Sequence, residues 1–70
     1  MNRSEYWATR KGIKYGIINA MSKLNNYNEK ESYLKRYDSD PSEFKGIKRF
    51  YNEEWDIIID LYPDSSYSMI

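Results

Sequence analysis

The chain contains no cysteine and no histidine among its 70 residues. The first absence excludes a disulfide framework and any thiolate metal site. The second removes the commonest general base and the commonest metal ligand. With no glycine-rich phosphate loop and no nucleophile elbow, catalysis has no visible machinery. No run approaches the ~20 apolar residues that span a bilayer; the longest is Ile57, Ile58 and Ile59. The N-terminal residues Asn2, Arg3, Ser4 and Glu5 are polar, unlike the apolar core of a secretory leader. Without a staple, a small secreted domain would be unusual, so the expected location is the cytoplasm. No cofactor and no membrane partner is expected.

A further absence concerns charge of one sign. All eleven Lys and Arg lie between Arg3 and Arg49, beside six acids. Glu53, Glu54, Asp56, Asp60 and Asp64 follow with no cation. A net charge of zero therefore conceals a dipolar chain, and charge distribution speaks to partners. What is abundant is tyrosine, eight residues, with two Trp and two Phe. Large aromatic side chains compensate for small size, because a chain this short buries only roughly 60% of its unfolded surface. Asn, Lys, Ile and Tyr make 29 of the 70 residues. All four have AT-rich codons, the profile of an AT-rich bacterium or of a phage or mobile element of one.

Periodicity gives a first helix over residues 4–24. Tyr6, Ile13, Ile17, Ala20 and Leu24 fall within an arc of about 60° at helical spacing. Asn2 with Glu5, or Ser4, caps its start, and the Asn-rich stretch 25–28 ends it. A second, shorter helix is expected over 29–37, with Asn28 and Glu31 at capping-box spacing. A third begins at Asp40, Pro41 and Glu43, which read as cap, first position and third position. From there Phe44, Ile47, Tyr51, Trp55, Ile58 and Tyr62 share an arc of about 80°, up to Pro63. The charge order opposes a single helix dipole, so a break is expected near Asn52. A strand over 55–62 competes, on the three isoleucines, but no second strand signal offers it a partner. The expected fold is all-α, a small compact bundle of three helices, or four with the break. It forms a single helical domain over 1–63, followed by a loose tail over 64–70.

Four surfaces are candidates for function. Arg3, Trp7, Arg10, Lys11 and Lys14 form a cationic and aromatic flank of the first helix, with Ile18 among them, suited to phosphate or to an acidic protein. Ala8, Gly12, Gly16 and Ala20, spaced by four, form a row of small residues that would let a helix, or a second copy of the chain, approach closely. Glu53, Asp56 and Asp60 form an acidic stripe; helical spacing does not supply the loop geometry of a cation site. Phe50, Ile57 and Leu61 form a second apolar strip that would meet the second helix or lie exposed. These features favour a non-enzymatic protein-protein interaction module, a small regulator or inhibitor. It would bind another protein through Phe50, Ile57 and Leu61, rimmed by Glu53, Asp56 and Asp60. The alternative is a nucleic-acid-binding domain using Arg3, Trp7, Arg10, Lys11 and Lys14.

Overall fold

The computed structural model describes residues 2–70. Two helices, α1 (Arg3–Ser22) and α2 (Tyr27–Leu34), precede four strands: β1 (Ser42–Phe44), β2 (Ile47–Asn52), β3 (Ile57–Leu61) and β4 (Tyr67–Met69). The fold is α+β, and the all-α bundle of three or four helices does not form. Both helices start on asparagine caps. The Asn2 side chain accepts from the Glu5 amide at 2.8 Å, and that of Asn26 accepts from the Glu29 amide at 2.9 Å. Glu29 returns the bond by accepting from the Asn25 amide, a reciprocal arrangement that satisfies donors the helix itself leaves open.

Strand replaces helix from residue 42 onward, and the turns show why. Lys45 and Gly46 both take positive φ, 55° and 82°. Two such residues make the tight turn whose twist matches antiparallel strands, and they bring Ser42 opposite Arg49. Gly46 has a second reason: a Cβ there would sit 3.2 Å from the Pro63 ring. Asn52 does interrupt the segment, as the end of a strand. Its side chain accepts from the Trp55 amide at 3.1 Å, and Asp56 (φ 51°) completes the turn into β3. In a third turn Asp64 accepts from the Ser66 amide. The residues expected to form a loose tail then pair as β4, and Ile70 exchanges both backbone bonds with Ile58. The sheet is a meander in the order β1-β2-β3-β4, antiparallel throughout.

Alternation along the strands sorts side chains to two faces. One face carries Phe50, Ile57, Ile59 and Leu61, which join Ile17, Met21 and Leu34 of the helices in a single core. Tyr27, Tyr33, Tyr37, Tyr67 and Met69 close its margin. Among the described residues, no helix lies over the other face, which carries Phe44, Ile47, Tyr51, Ile58 and Tyr62. Polar ties fix the layers: Lys48 of β2 pairs with Glu31 of α2, and Lys30 donates to the Ser65 carbonyl at 2.6 Å. The Lys48 ammonium bonded to Glu31 holds that carboxyl below its ordinary value. Burial, then the hydroxyl of Tyr37 at 3.0 Å, pushes the Tyr33 phenol up to about 12.

Gly12 and Gly16 sit inside α1 with nothing within 4 Å of where a Cβ would lie. Neither supports a close helix approach, so each carries only the entropic penalty of glycine in a helix. Gly12→Ala and Gly16→Ala should therefore each stabilise the fold by about 0.5–1 kcal/mol. Urea denaturation measures this; a loss of stability in either variant would reveal a contact at that position.

Candidate partner-binding surface

The outward face of α1 is built from residues at helical spacing that the core does not use. Trp7, Arg10, Lys11, Lys14, Tyr15 and Ile18 line one shallow trough along it. From Trp7 to Ile18 the trough runs about 16 Å, at 1.5 Å rise per residue. Its apolar members are unusually open for their type: Trp7 is 51% exposed, Tyr15 61% and Ile18 41%. No acidic side chain lines it. Among the described residues, neither Lys11 nor Lys14 takes part in an ion pair.

The trough is anchored from beneath by Arg10. Its Nε–H donates to the Trp55 carbonyl at 2.7 Å, and its Nη2–H donates to the Asp56 carbonyl at 2.9 Å. These bonds fasten α1 to the β2–β3 turn. The same guanidinium lies 5.3 Å from the centre of the Trp7 ring. Tyr6 meets Trp7 edge-on at 5.4 Å and stacks on Trp55 at 5.4 Å. Trp7 is thus held by two neighbours while half of its surface faces solvent. At the other end, the Lys11 ammonium lies 5.9 Å from the Tyr15 ring centre. An aromatic held in place loses little freedom on contact, which favours binding over a mobile side chain of equal area.

The structure brings four of the five residues of the cationic flank together: Trp7, Arg10, Lys11 and Lys14 share the trough. Arg3 is exposed one turn towards the N-terminus. Arg10 is a positioning group, since its Nε–H and one Nη2–H are engaged by backbone carbonyls. Tyr15 belongs to the same surface and was not singled out from the sequence, although its spacing of eight from Trp7 and four from Lys11 already put it beside them.

The other expected surface disperses. Phe50, Ile57 and Leu61 are 0–1% exposed and form the centre of the core, so they offer nothing to a partner. Glu53 and Asp56 lie in the β2–β3 turn, where Asp56 accepts from the Tyr51 hydroxyl at 3.2 Å. Asp60 stands apart from them on β3, 7% exposed, and accepts from Arg49 through both oxygens. The acidic stripe required a helix that does not form. Ala8, Gly12 and Gly16 are open to solvent and Ala20 is half-buried, so the small-residue row packs no second helix.

Among the described residues there is no group of three side chains suited to hold a metal ion, and no helix is long and apolar enough to cross a membrane. Comparison with protein-family models, with curated proteins and with solved structures finds no match. The functional reading therefore rests on the surface alone.

Proposed function

We propose that the protein is a non-enzymatic binding module that docks an acidic segment of another protein on the outer face of α1 and regulates that protein by occupying it. The observation that carries this reading is the trough itself, with three open apolar side chains, two unpaired lysines and no carboxylate. Buried aromatic anchors inside a charged rim are what protein interfaces concentrate their energy on. The matching segment is an amphipathic helix with apolar residues one to two turns apart and carboxylates facing Lys11 and Lys14. Nucleic acid fits less well. Arg10 is engaged internally, so the face offers Arg3, Lys11 and Lys14 to phosphates, and its centre is apolar. A cytoplasmic setting accords with the absence of cysteine.

The test compares three baits in capture from the native host: the wild type, Trp7→Ala, and the double variant Lys11→Glu with Lys14→Glu. A protein retained by the wild type, resistant to nuclease and at least about tenfold depleted on both variants supports the reading, since loss of one hot-spot side chain exceeds ~1.4 kcal/mol. Equal retention on all three baits sinks it. A nuclease-sensitive signal that weakens steeply with salt would assign the trough to nucleic acid instead.

A further inference from the structure

The uncovered face of the sheet has a pattern that the α1 trough does not explain. Its residues form three rows across the strands, fixed by the register. The middle row is Ser42, Arg49, Asp60 and Ser68. One flanking row holds Phe44, Ile47 and Tyr62, and the other holds Tyr51, Ile58 and Ile70. Phe44 is 72% exposed, Ile70 59% and Tyr51 43%. The middle row is neutral, because Arg49 Nε–H and Nη2–H donate to the two Asp60 oxygens at 2.7 and 2.8 Å. Ser42, Phe44, Ile47, Arg49 and Asp60 line a second shallow depression here, with Glu43 at its β1 edge.

We infer that this face pairs with the same face of a second copy of the chain, about a two-fold axis running along the strands between β2 and β3. The argument is one of self-complementarity. A charged partner has nothing to answer on a neutral face, and a purely apolar one would cover the remaining N–H donors of Arg49, half exposed, with no acceptor. A second copy turned about that axis sets β2 over the partner's β3. Arg49 then faces the partner subunit's Asp60, and Asp60 the partner subunit's Arg49. Ile47 meets the partner subunit's Tyr62, Tyr51 the partner subunit's Ile58, and Ser42 the partner subunit's Ser68. Every row meets its own kind and both ion pairs become four-membered. The perpendicular in-plane axis would set Arg49 against itself, so charge selects one orientation of the two. Such a pairing is isologous and closes on itself, and it stacks two sheets in the aligned manner of a sandwich. Four strands about 4.8 Å apart and some five residues long give a face near 19 by 17 Å. That is less than the ~800 Å² each partner gives to a standard interface, so the dimer is a reversible one. Both α1 troughs remain on its outside.

Sedimentation equilibrium of the full chain up to about 0.5 mM is the test, with half-dissociation expected near ~100 μM for a face this small. The wild type should move from a species of 8.5 kDa to one of twice that mass. Ile58→Lys and Phe44→Lys, on opposite flanking rows, should each weaken association at least tenfold while the far-ultraviolet circular dichroism stays unchanged. Should Ile58→Lys fail to fold, the highly exposed Phe44→Lys decides alone. Isotope-filtered nuclear Overhauser contacts between Tyr51 and Ile58 of different subunits should appear in the wild type. A wild type that stays monomeric at 0.5 mM overturns the inference. So does a dimer that both variants leave intact, which would place the contact at a strand edge or on α1.

Discussion

Phe50→Ala is expected to take about 3–5 kcal/mol from the stability of the fold, so that it unfolds at far lower urea than the wild type. Phe50 is completely buried at the centre of the core, on β2 and opposite Ile59 of β3. Truncating a buried phenylalanine removes its transfer free energy and leaves a cavity, together about 3–5 kcal/mol. A domain of 70 residues has about 4–10 kcal/mol of stability to lose, at ~0.05–0.15 kcal/mol per residue. There is no disulfide to limit the loss, and among the described residues the seven fully buried apolar side chains share one cluster, with no second core to hold part of the fold. Phe44→Ala is the matched control. The same chemical change at a site 72% exposed should shift stability by less than about 0.5 kcal/mol. Urea titration followed by circular dichroism separates the two. Equal effects at positions 44 and 50 would contradict the assignment of the two sheet faces.

Asp60→Asn should cost about 1.5–3 kcal/mol at pH 7, the range for hydrogen bonds to a charged group, and almost nothing at pH 2. Asp60 lies under the sheet surface with a bidentate guanidinium on its carboxylate. The Arg49 hydrogen bonds hold its carboxyl below the ordinary value, against the opposing push of burial. A carboxyl whose folded value is depressed stabilises the fold fully above the unfolded value, near 3.9, and that contribution fades as pH falls through and below it. The asparagine variant has no such contribution at any pH, and its amide N–H groups face the donors of Arg49. The gap between wild type and variant should therefore be widest at neutral pH and close in acid. Glu31 is also held low by Lys48, but it titrates equally in both proteins and cancels from the difference. Thermal melts at low micromolar concentration, where each protein is monomeric, give the comparison. A gap that stays constant from pH 7 to 2 would mean that the pair acts by shape alone.

The helical half of the fold was legible because its signals are local. Asn2 with Glu5 marked the start of α1, and the apolar spacing from Tyr6 to Leu24 marked its buried face. The sheet was hidden by a coincidence of spacing. Phe44, Ile47, Tyr51, Ile58 and Tyr62 share one arc of a helical wheel, and they also all point from the same face of the meander. The arc that looked like a core is the uncovered face, and the strip that looked surplus, Phe50, Ile57 and Leu61, is the core. Only the turns distinguish the two arrangements. Lysine before glycine is a weaker sign of a hairpin than asparagine before glycine, and the capping pattern at Asp40, Pro41 and Glu43 spoke more clearly for a helix. Burial then went to the competing strand, because two more strands existed to complete its hydrogen bonds. The α1 trough was readable apart from Tyr15, since it depends on α1 alone. The neutral Arg49–Asp60 pair was not, because eleven residues separate its members and only register brings them together.

The order of the strands has a kinetic consequence. Each strand pairs with its neighbour in the chain, and each turn between them spans no more than five residues. No pairing waits for a distant segment to arrive, so loop-closure entropy opposes little of the sheet's assembly. Domains wired in this way fold fast for their strand content. The slower event is the docking of α1, which must bring Arg10 to a turn 45 residues away. Until it does, Phe50, Ile57, Ile59 and Leu61 stand open on the face they will later bury. Those four side chains are therefore covered only when that long-range contact closes, and a change that weakens it leaves them open to aggregation.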